Sequence, residues 1–215
     1  MDSPSTTERP HSGGQGVLKK PLIEKLKLLF VFICLGAIIW FSEPTPLFFG
    51  IGLALVILGT LIRIWAGGHL TRDQRLTTSG PYAYSRNPFY LGRLLWIIGF
   101  AVMAGFPVGY ASIAIYGILI LALIIFFVYY MPRKEAREGG RLKEYFGEDY
   151  DTWKANVPSL FPRLTPYKMN PKKWNARLYF GNDGSITGNK EIWTTLAVIL
   201  IAVLFFLRMA LPNSA

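Results

Sequence analysis

The apolar run from Phe89 to Tyr130 limits the fold more than any other stretch of the chain. It is about twice the roughly twenty residues that one membrane-spanning helix needs, and its only charged residue is Arg93. In lipid the backbone N–H and C=O groups must be satisfied internally, which a helix does within its own segment. Gly105-Phe106-Pro107 near the middle of the run offers a turn. The run therefore reads as a helical hairpin with arms near Phe89–Ala104 and Val108–Tyr130. Blocks of the same character occur at roughly Leu22–Phe41, Leu47–Ala66 and Glu191–Leu211. The expectation is an all-α, polytopic membrane protein with about five transmembrane helices. Hydrophobic residues make up 52% of the 215, and the mean hydropathy is +0.32, too apolar for an ordinary soluble domain. There is no strand pattern, and no Gly-x-Gly-x-x-Gly of the kind that follows a strand in soluble dinucleotide-binding folds.

The formal charge of +10 would suit nucleic acid if it were spread over one surface. Instead nearly all Lys and Arg fall in three regions: the N-terminal segment, the Gly67–Pro88 loop and the Arg133–Lys190 segment. The turns at Pro44 and Pro107 carry none. With five spans the three basic regions share one side, which the positive-inside rule makes cytosolic, with the N-terminus inside and the C-terminus outside. The expected partner is the bilayer, some of the charge attracting anionic headgroups, and not nucleic acid. The compartment follows the cell type: plasma membrane in a prokaryote, endoplasmic reticulum in a eukaryote. Cys34 is the single cysteine. It cannot form an intrachain disulfide, and no cluster has metal-ligand spacing, so no metal is expected. No small-residue cleavage pattern ends the first apolar block, which therefore reads as a retained helix and not a signal peptide.

The organisation follows from these blocks. Residues 1–16, rich in Ser, Thr, Gly and Pro, read as a disordered tail. Residues 17–66 hold two spans, with Gly50, Gly52 and Gly59 available for close helix packing. Arg63, near the end of the second span, is expected to snorkel to the interface. Residues 67–166 form a loop, the hairpin and a charged helix. Pro132 is expected to close the fourth span. Beyond it Leu142, Tyr145, Phe146, Tyr150 and Trp153 recur at roughly helical spacing, an amphipathic helix broken near Gly147 that lies on the membrane or covers a cavity. Pro158, Pro162 and Pro166 impose an extended path. Residues 167–190 are a basic loop, and residues 191–215 an accessory fifth span. His69 reads as an interfacial polar residue.

Within this frame the densest stretch is Gly80-Pro81-Tyr82-Ala83-Tyr84-Ser85-Arg86-Asn87-Pro88-Phe89-Tyr90-Leu91-Gly92. Pro81 and Pro88 bias the residues before them away from helix, so a structured loop enters a helix near Phe89. A spacer needs no such concentration of prolines, tyrosines and glycines. Two readings follow from the residues: a built site, or an aromatic belt with an arginine reaching toward headgroups.

Arg86-Asn87-Pro88-Phe89-Tyr90-Leu91-Gly92 resembles the Arg-His-Pro-x-Tyr-x-Gly motif of isoprenylcysteine carboxyl methyltransferases and their prokaryotic relatives. A second landmark of that family is also similar here: Glu138, Leu142, Phe146-Gly147-Glu148-Asp149-Tyr150, Trp153, then Val157-Pro158 and Pro162. The resemblance covers roughly Thr71 to Pro166. It implies an integral membrane enzyme that takes a methyl group from S-adenosylmethionine, its cofactor site formed by the loop, the hairpin and the cytosolic amphipathic segment. By position it implies that Gln74, Arg75, Leu76, Thr77, Tyr82, Asn87, Pro88, Phe89 and Tyr90 line the cofactor pocket. Glu138 falls on the cofactor-binding acid, and Arg86, Asn87 and Glu138 form the catalytic constellation. Lys134 falls where the family holds its substrate with an arginine, and Arg133 or Arg137 could take that part.

Three departures stand out. Asn87 replaces a histidine; it can hydrogen-bond but cannot act as a base near neutral pH. Gly139 replaces the second of two paired acids. Lys134 lacks the planar fork with which arginine grips a carboxylate. The implied acceptor is lipid-like or prenylated, and a carboxylate is slightly favoured because it needs no base. Two other readings remain at this point: an NADPH-dependent sterol-type membrane reductase, and an inactive membrane scaffold.

Overall fold

The structure, a computed structural model, describes residues 19–71, 75–106, 109–168, 171–180 and 187–211. The expected tail at residues 1–16, the Gln74 position and parts of the expected basic loop at residues 167–190 lie outside the described residues. Every regular element among the described residues is helical: α1 (Lys19–Phe41), α2 (Pro46–Gly67), α3 (Pro88–Met103), α4 (Tyr110–Ile124), α5 (Met131–Asn156), α6 (Ala176–Phe180) and α7 (Thr187–Ala210). A 3-10 turn spans Gly80–Ala83, and a π-helical stretch, Ile125–Tyr130, joins α4 to α5. Residues 1–37 and 38–215 separate into two compact units; the first contains most of α1, and the second carries everything that follows.

Among the described residues three helical stretches are long and apolar enough to cross a membrane: Pro46–Gly67, Ser112–Asn156 and Glu191–Ala210. Phe32–Phe41 and Pro88–Met103 are shorter apolar helices. The protein is thus an all-α, polytopic membrane protein. At 1.5 Å per residue, α3 reaches about 24 Å, short of a hydrocarbon core of about 30 Å. The hairpin turn falls where the sequence places it: α3 ends at Met103, Gly105 has φ +74°, and the Glu43 N–H donates to the Ala104 carbonyl at 2.9 Å.

The fourth span does not close at Pro132, contrary to the sequence expectation. The helix runs through to Asn156, with Pro132 in the first turn of α5. A proline has no N–H for the ladder and crowds the preceding turn. Here the wider π turn immediately before it accommodates both defects. The break expected near Gly147 is present, with φ +50° and ψ −122°.

Residues 38–215 bury an apolar core drawn from four helices: Val56, Trp96, Met103, Ile115, Val198 and Phe205. The last helix is therefore part of the core and not a loose appendage. The α2–α3 contact is tight because glycines face each other. A Cβ on Gly59 would lie 2.6 Å from the Gly92 carbonyl oxygen, and one on Gly52 would lie 2.4 Å from that of Gly99. Small residues permit this backbone approach in membrane helices. A second cluster (Leu76, Tyr82, Tyr150, Trp153, Val157) joins the Gly67–Pro88 loop to α5.

Candidate functional site

The two landmarks of the sequence are held together by hydrogen bonds. The Arg86 N–H donates to the Pro158 carbonyl at 2.9 Å, and its Nε to the Val157 carbonyl at 3.0 Å. Ser85 Oγ donates to the Leu160 carbonyl at 2.8 Å, and Asn87 Nδ2 to the Ser159 carbonyl at 3.0 Å. Trp153 Nε1 donates to the Tyr82 carbonyl at 3.1 Å. Arg86 also forms an ion pair with Glu135, which accepts from Ser159 Oγ at 2.7 Å. Buried polar groups cost free energy unless partnered, so each of these bonds fixes one segment against the other. Asn87 stands at the N-cap of α3, yet its side chain makes no capping bond; it binds Ser159 and accepts from Lys134 Nζ at 2.9 Å.

Between the landmarks lies a cavity of about 420 Å³, within the usual range of small-molecule sites, roughly 300–1,000 Å³. The loop contributes Thr71, Arg75, Leu76, Thr77, Tyr82 and Arg86; α3 contributes Phe89, Tyr90 and Arg93. From α5 come Lys134, Glu138, Arg141, Leu142, Phe146 and Trp153, and the far wall is Arg63 with Glu191. Among the residues marked out from the sequence, nine are brought together here; Arg86, Lys134 and Glu138 are among them. Asn87 and Pro88 are buried behind the wall, and Arg133 and Arg137 lie outside the lining; the Arg133 guanidinium sits 4.4 Å from the Tyr129 ring centre. His69 is also outside it, buried with Nδ1 3.2 Å from Ser79 Oγ; burial pushes its imidazole below the ordinary 6.5.

Among the described residues the lining carries six cations (Arg63, Arg75, Arg86, Arg93, Lys134 and Arg141) and two acids. Lys134 Nζ lies 2.8 Å from Glu138 Oε2 and 3.9 Å from the Tyr90 ring centre. The Glu138 side chain is 47% exposed, so its other oxygen stays accessible. Arg93 Nη1 donates to the Tyr130 hydroxyl at 2.6 Å. Gly139 faces the space filled by Tyr150: a Cβ there would lie 2.7 Å from the Tyr150 hydroxyl. A side chain at that position, acidic or not, requires Tyr150 to move.

Arg63 overturns the expectation of a snorkelling side chain. It is 3% exposed, with Nη1 donating to the Phe89 carbonyl at 2.8 Å and Nη2 to both carboxylate oxygens of Glu191 at 2.8 and 2.7 Å. Its guanidinium lies 4.5 Å from the Trp96 ring centre. A charge among apolar helices is tolerated with such a set of partners and not without it. The acid arrives from 128 residues away, a pairing no local pattern announces. Arg63, Thr71, Arg93, Arg141 and Glu191 are the polar wall residues that sequence reasoning did not assign to the site; the apolar Leu142, Phe146 and Trp153 were visible as the inner face of the amphipathic helix.

Fold and cavity together define a class: a multi-pass helical membrane protein with a cation-rich small-molecule site between a proline-tyrosine loop and a charged helix. Residues 47–149 match the family described as phospholipid methyltransferase. The chain is 32% identical over 136 residues to the protein-S-isoprenylcysteine O-methyltransferase of Xenopus laevis, covering 56% of this chain and 43% of that one. It is 30% identical over 131 residues to the Homo sapiens protein of the same name, covering 55% and 43%. It is also 30% identical over 126 residues to the cobalt-zinc-cadmium resistance protein CzcN of Cupriavidus metallidurans, covering 58% and 53%. Over residues 47–149, a little under half of the chain, the protein is similar to membrane phospholipid and isoprenylcysteine methyltransferases. It spans about half the length of the curated relatives it matches. No solved structure gives a significant match.

Proposed function

We propose that the cavity binds S-adenosylmethionine and that the protein transfers its methyl group to a lipid-like acceptor carrying a carboxylate. One observation carries this reading: Arg86, Phe89 and Tyr90 of the motif and Glu138, far apart in sequence, wall the same cavity. The lining fits such a donor chemically. Glu138 would take its ammonium in place of Lys134, Arg75 or Arg93 its carboxylate, and Tyr82, Phe89 and Trp153 offer aromatic surface for adenine or sulfonium. When bound, the donor supplies a methyl already activated on a sulfonium.

The chain's own residues then have to align the two partners and exclude water. No histidine lines the cavity among the described residues. A carboxylate acceptor uses its own lone pair and gives up no proton, so the new C–O bond forms as the S–C bond breaks, with the electron pair left on sulfur. The excess of lining cations suits an anionic acceptor, and Lys134, with Arg133 and Arg137 nearby on α5, is proposed to hold it. An apolar moiety would enter from the bilayer, sideways between the hairpin and its neighbours. The charge distribution supports a cytosolic cavity.

Calorimetric titration of the detergent-solubilised chain with S-adenosylhomocysteine and with NADPH tests this directly. Binding of S-adenosylhomocysteine alone is expected. Binding of NADPH alone would point to a reductase, and binding of neither to a site without this chemistry; both outcomes overturn the proposal.

A further inference from the structure

The wall formed by Arg63 and Glu191 lies partly outside the family match, since Glu191 is on α7 and the match ends at residue 149. The α2–α7 contact is otherwise apolar, with Val56 and Val198 among its buried residues. At its cavity end it carries one fully buried cation and one carboxylate, both in the lining. Arg63 Nε is buried and has no hydrogen-bond partner among the described residues, so the guanidinium is held at Nη1 and Nη2. Phe89 and Trp96 place aromatic faces 5.1 and 4.5 Å from it. The aromatic rings and the one carbonyl partner the guanidinium but leave its full charge uncompensated. A second partner with a full negative charge does something more: it cancels the charge of Arg63 as felt inside the cavity.

That matters because of what the cavity is proposed to bind. S-adenosylmethionine and S-adenosylhomocysteine differ by one methyl group and one positive charge, on sulfur. A buried, uncompensated guanidinium in the wall would disfavour the first and leave the second nearly unaffected, because unit charges interact over this range through a poorly screening interior. We infer that Glu191 is the counter-ion of Arg63 and that, by neutralising it, the last helix allows the cavity to accept a sulfonium. Glu191 acts through Arg63 and needs no contact with the ligand. The inference rests on the donor reading above and assigns to α7 a part in donor selection, in place of an accessory role.

The test is the ratio of the two dissociation constants, measured by calorimetry on the full chain in detergent, with far-UV circular dichroism to monitor folding. Glu191→Gln keeps the shape and removes the charge. It is expected to weaken S-adenosylmethionine relative to S-adenosylhomocysteine by roughly tenfold. The double variant Arg63→Gln/Glu191→Gln, neutral again, is expected to restore the wild-type ratio. A merely structural role would weaken both ligands alike, and an unchanged ratio in Glu191→Gln overturns the inference. Should Glu191→Gln fail to fold, Arg63→Gln leaves the carboxylate uncompensated and is expected to shift the ratio the other way; no shift overturns it equally. If the wild-type chain binds neither ligand, the donor reading itself fails; if it binds both and the ratio ignores these charges, only the role of Glu191 does.

Discussion

Lys134 is the residue on which the polar side of the cavity turns. Its ammonium joins Glu138, the Asn87 side-chain oxygen Oδ1 and the Tyr90 ring in one cluster. A ligand ammonium that takes Glu138 must displace this lysine from it, which makes Glu138 and Tyr90 the side chains most sensitive to truncation. Glu138→Ala and Tyr90→Ala are each expected to abolish S-adenosylhomocysteine binding in calorimetry while far-UV circular dichroism stays unchanged; retained wild-type affinity in both would remove the site from this cavity. Asn87 shows why a motif can be legible while the role of a letter within it is not. Its place before Pro88 was plain from the sequence, but its bonds go to Ser159 and Lys134, from segments whose approach only the fold determines. His69 gives a pH-dependent consequence. Burial lowers its pKa, so the folded chain holds this proton less readily than the unfolded chain, which takes it up near 6.5. The unfolded state then binds more protons at low pH, and stability falls as the pH drops through about 6.5. The Tm of the wild type is expected to fall more between pH 7.5 and pH 5.0 than that of His69→Gln; equal losses would show that another group dominates.

At the scale of elements, periodicity and punctuation served where the determinant is local. The apolar blocks, the hairpin turn at Gly105 and the break at Gly147 all rest on residues adjacent in sequence. The continuation through Pro132 does not, because a π-helical stretch has no distinct apolar period and a proline ordinarily reads as a stop. Nor does the place of α7, whose apolar sequence resembles any lipid-facing span, although Phe205 is fully buried and Glu191 reaches Arg63. The facing glycines of α2 and α3 lie between these cases: their small size was visible, their partners were not. Gly59→Ala and Gly52→Ala each force a Cβ against a carbonyl oxygen of the neighbouring helix. Each is expected to cost about 1–3 kcal/mol in unfolding from detergent micelles, while Gly117→Ala, where a Cβ meets nothing within 4 Å, should be close to neutral. Equal effects at all three positions would mean that helix propensity, not packing, governs these sites.

For the whole molecule, the charge pattern and the cavity make one joint demand: the loop at 67–88 and the charged helix α5 must face the same side of the bilayer as each other, opposite the turn at Glu43. Both contribute to a cavity suited to a polar ligand, and such a ligand is made in the cytosol and does not cross the hydrocarbon core unaided. The positive-inside rule predicts the three basic regions on that side, from the excess of Lys and Arg near the span ends. Glu43 and Arg137 are both exposed in the fold, and this topology predicts them on opposite sides of the bilayer. In a Cys34→Ser background, Glu43→Cys is expected to react with a membrane-impermeant maleimide on intact cells or sealed right-side-out vesicles. Arg137→Cys is expected to react only after permeabilisation. Labelling of both positions from one side would break the link between basic loops and cavity, since α2 and α3 would then not separate them; labelling in the reverse sense would leave the cavity facing away from the cytosol, where no methyl donor of this class reaches it.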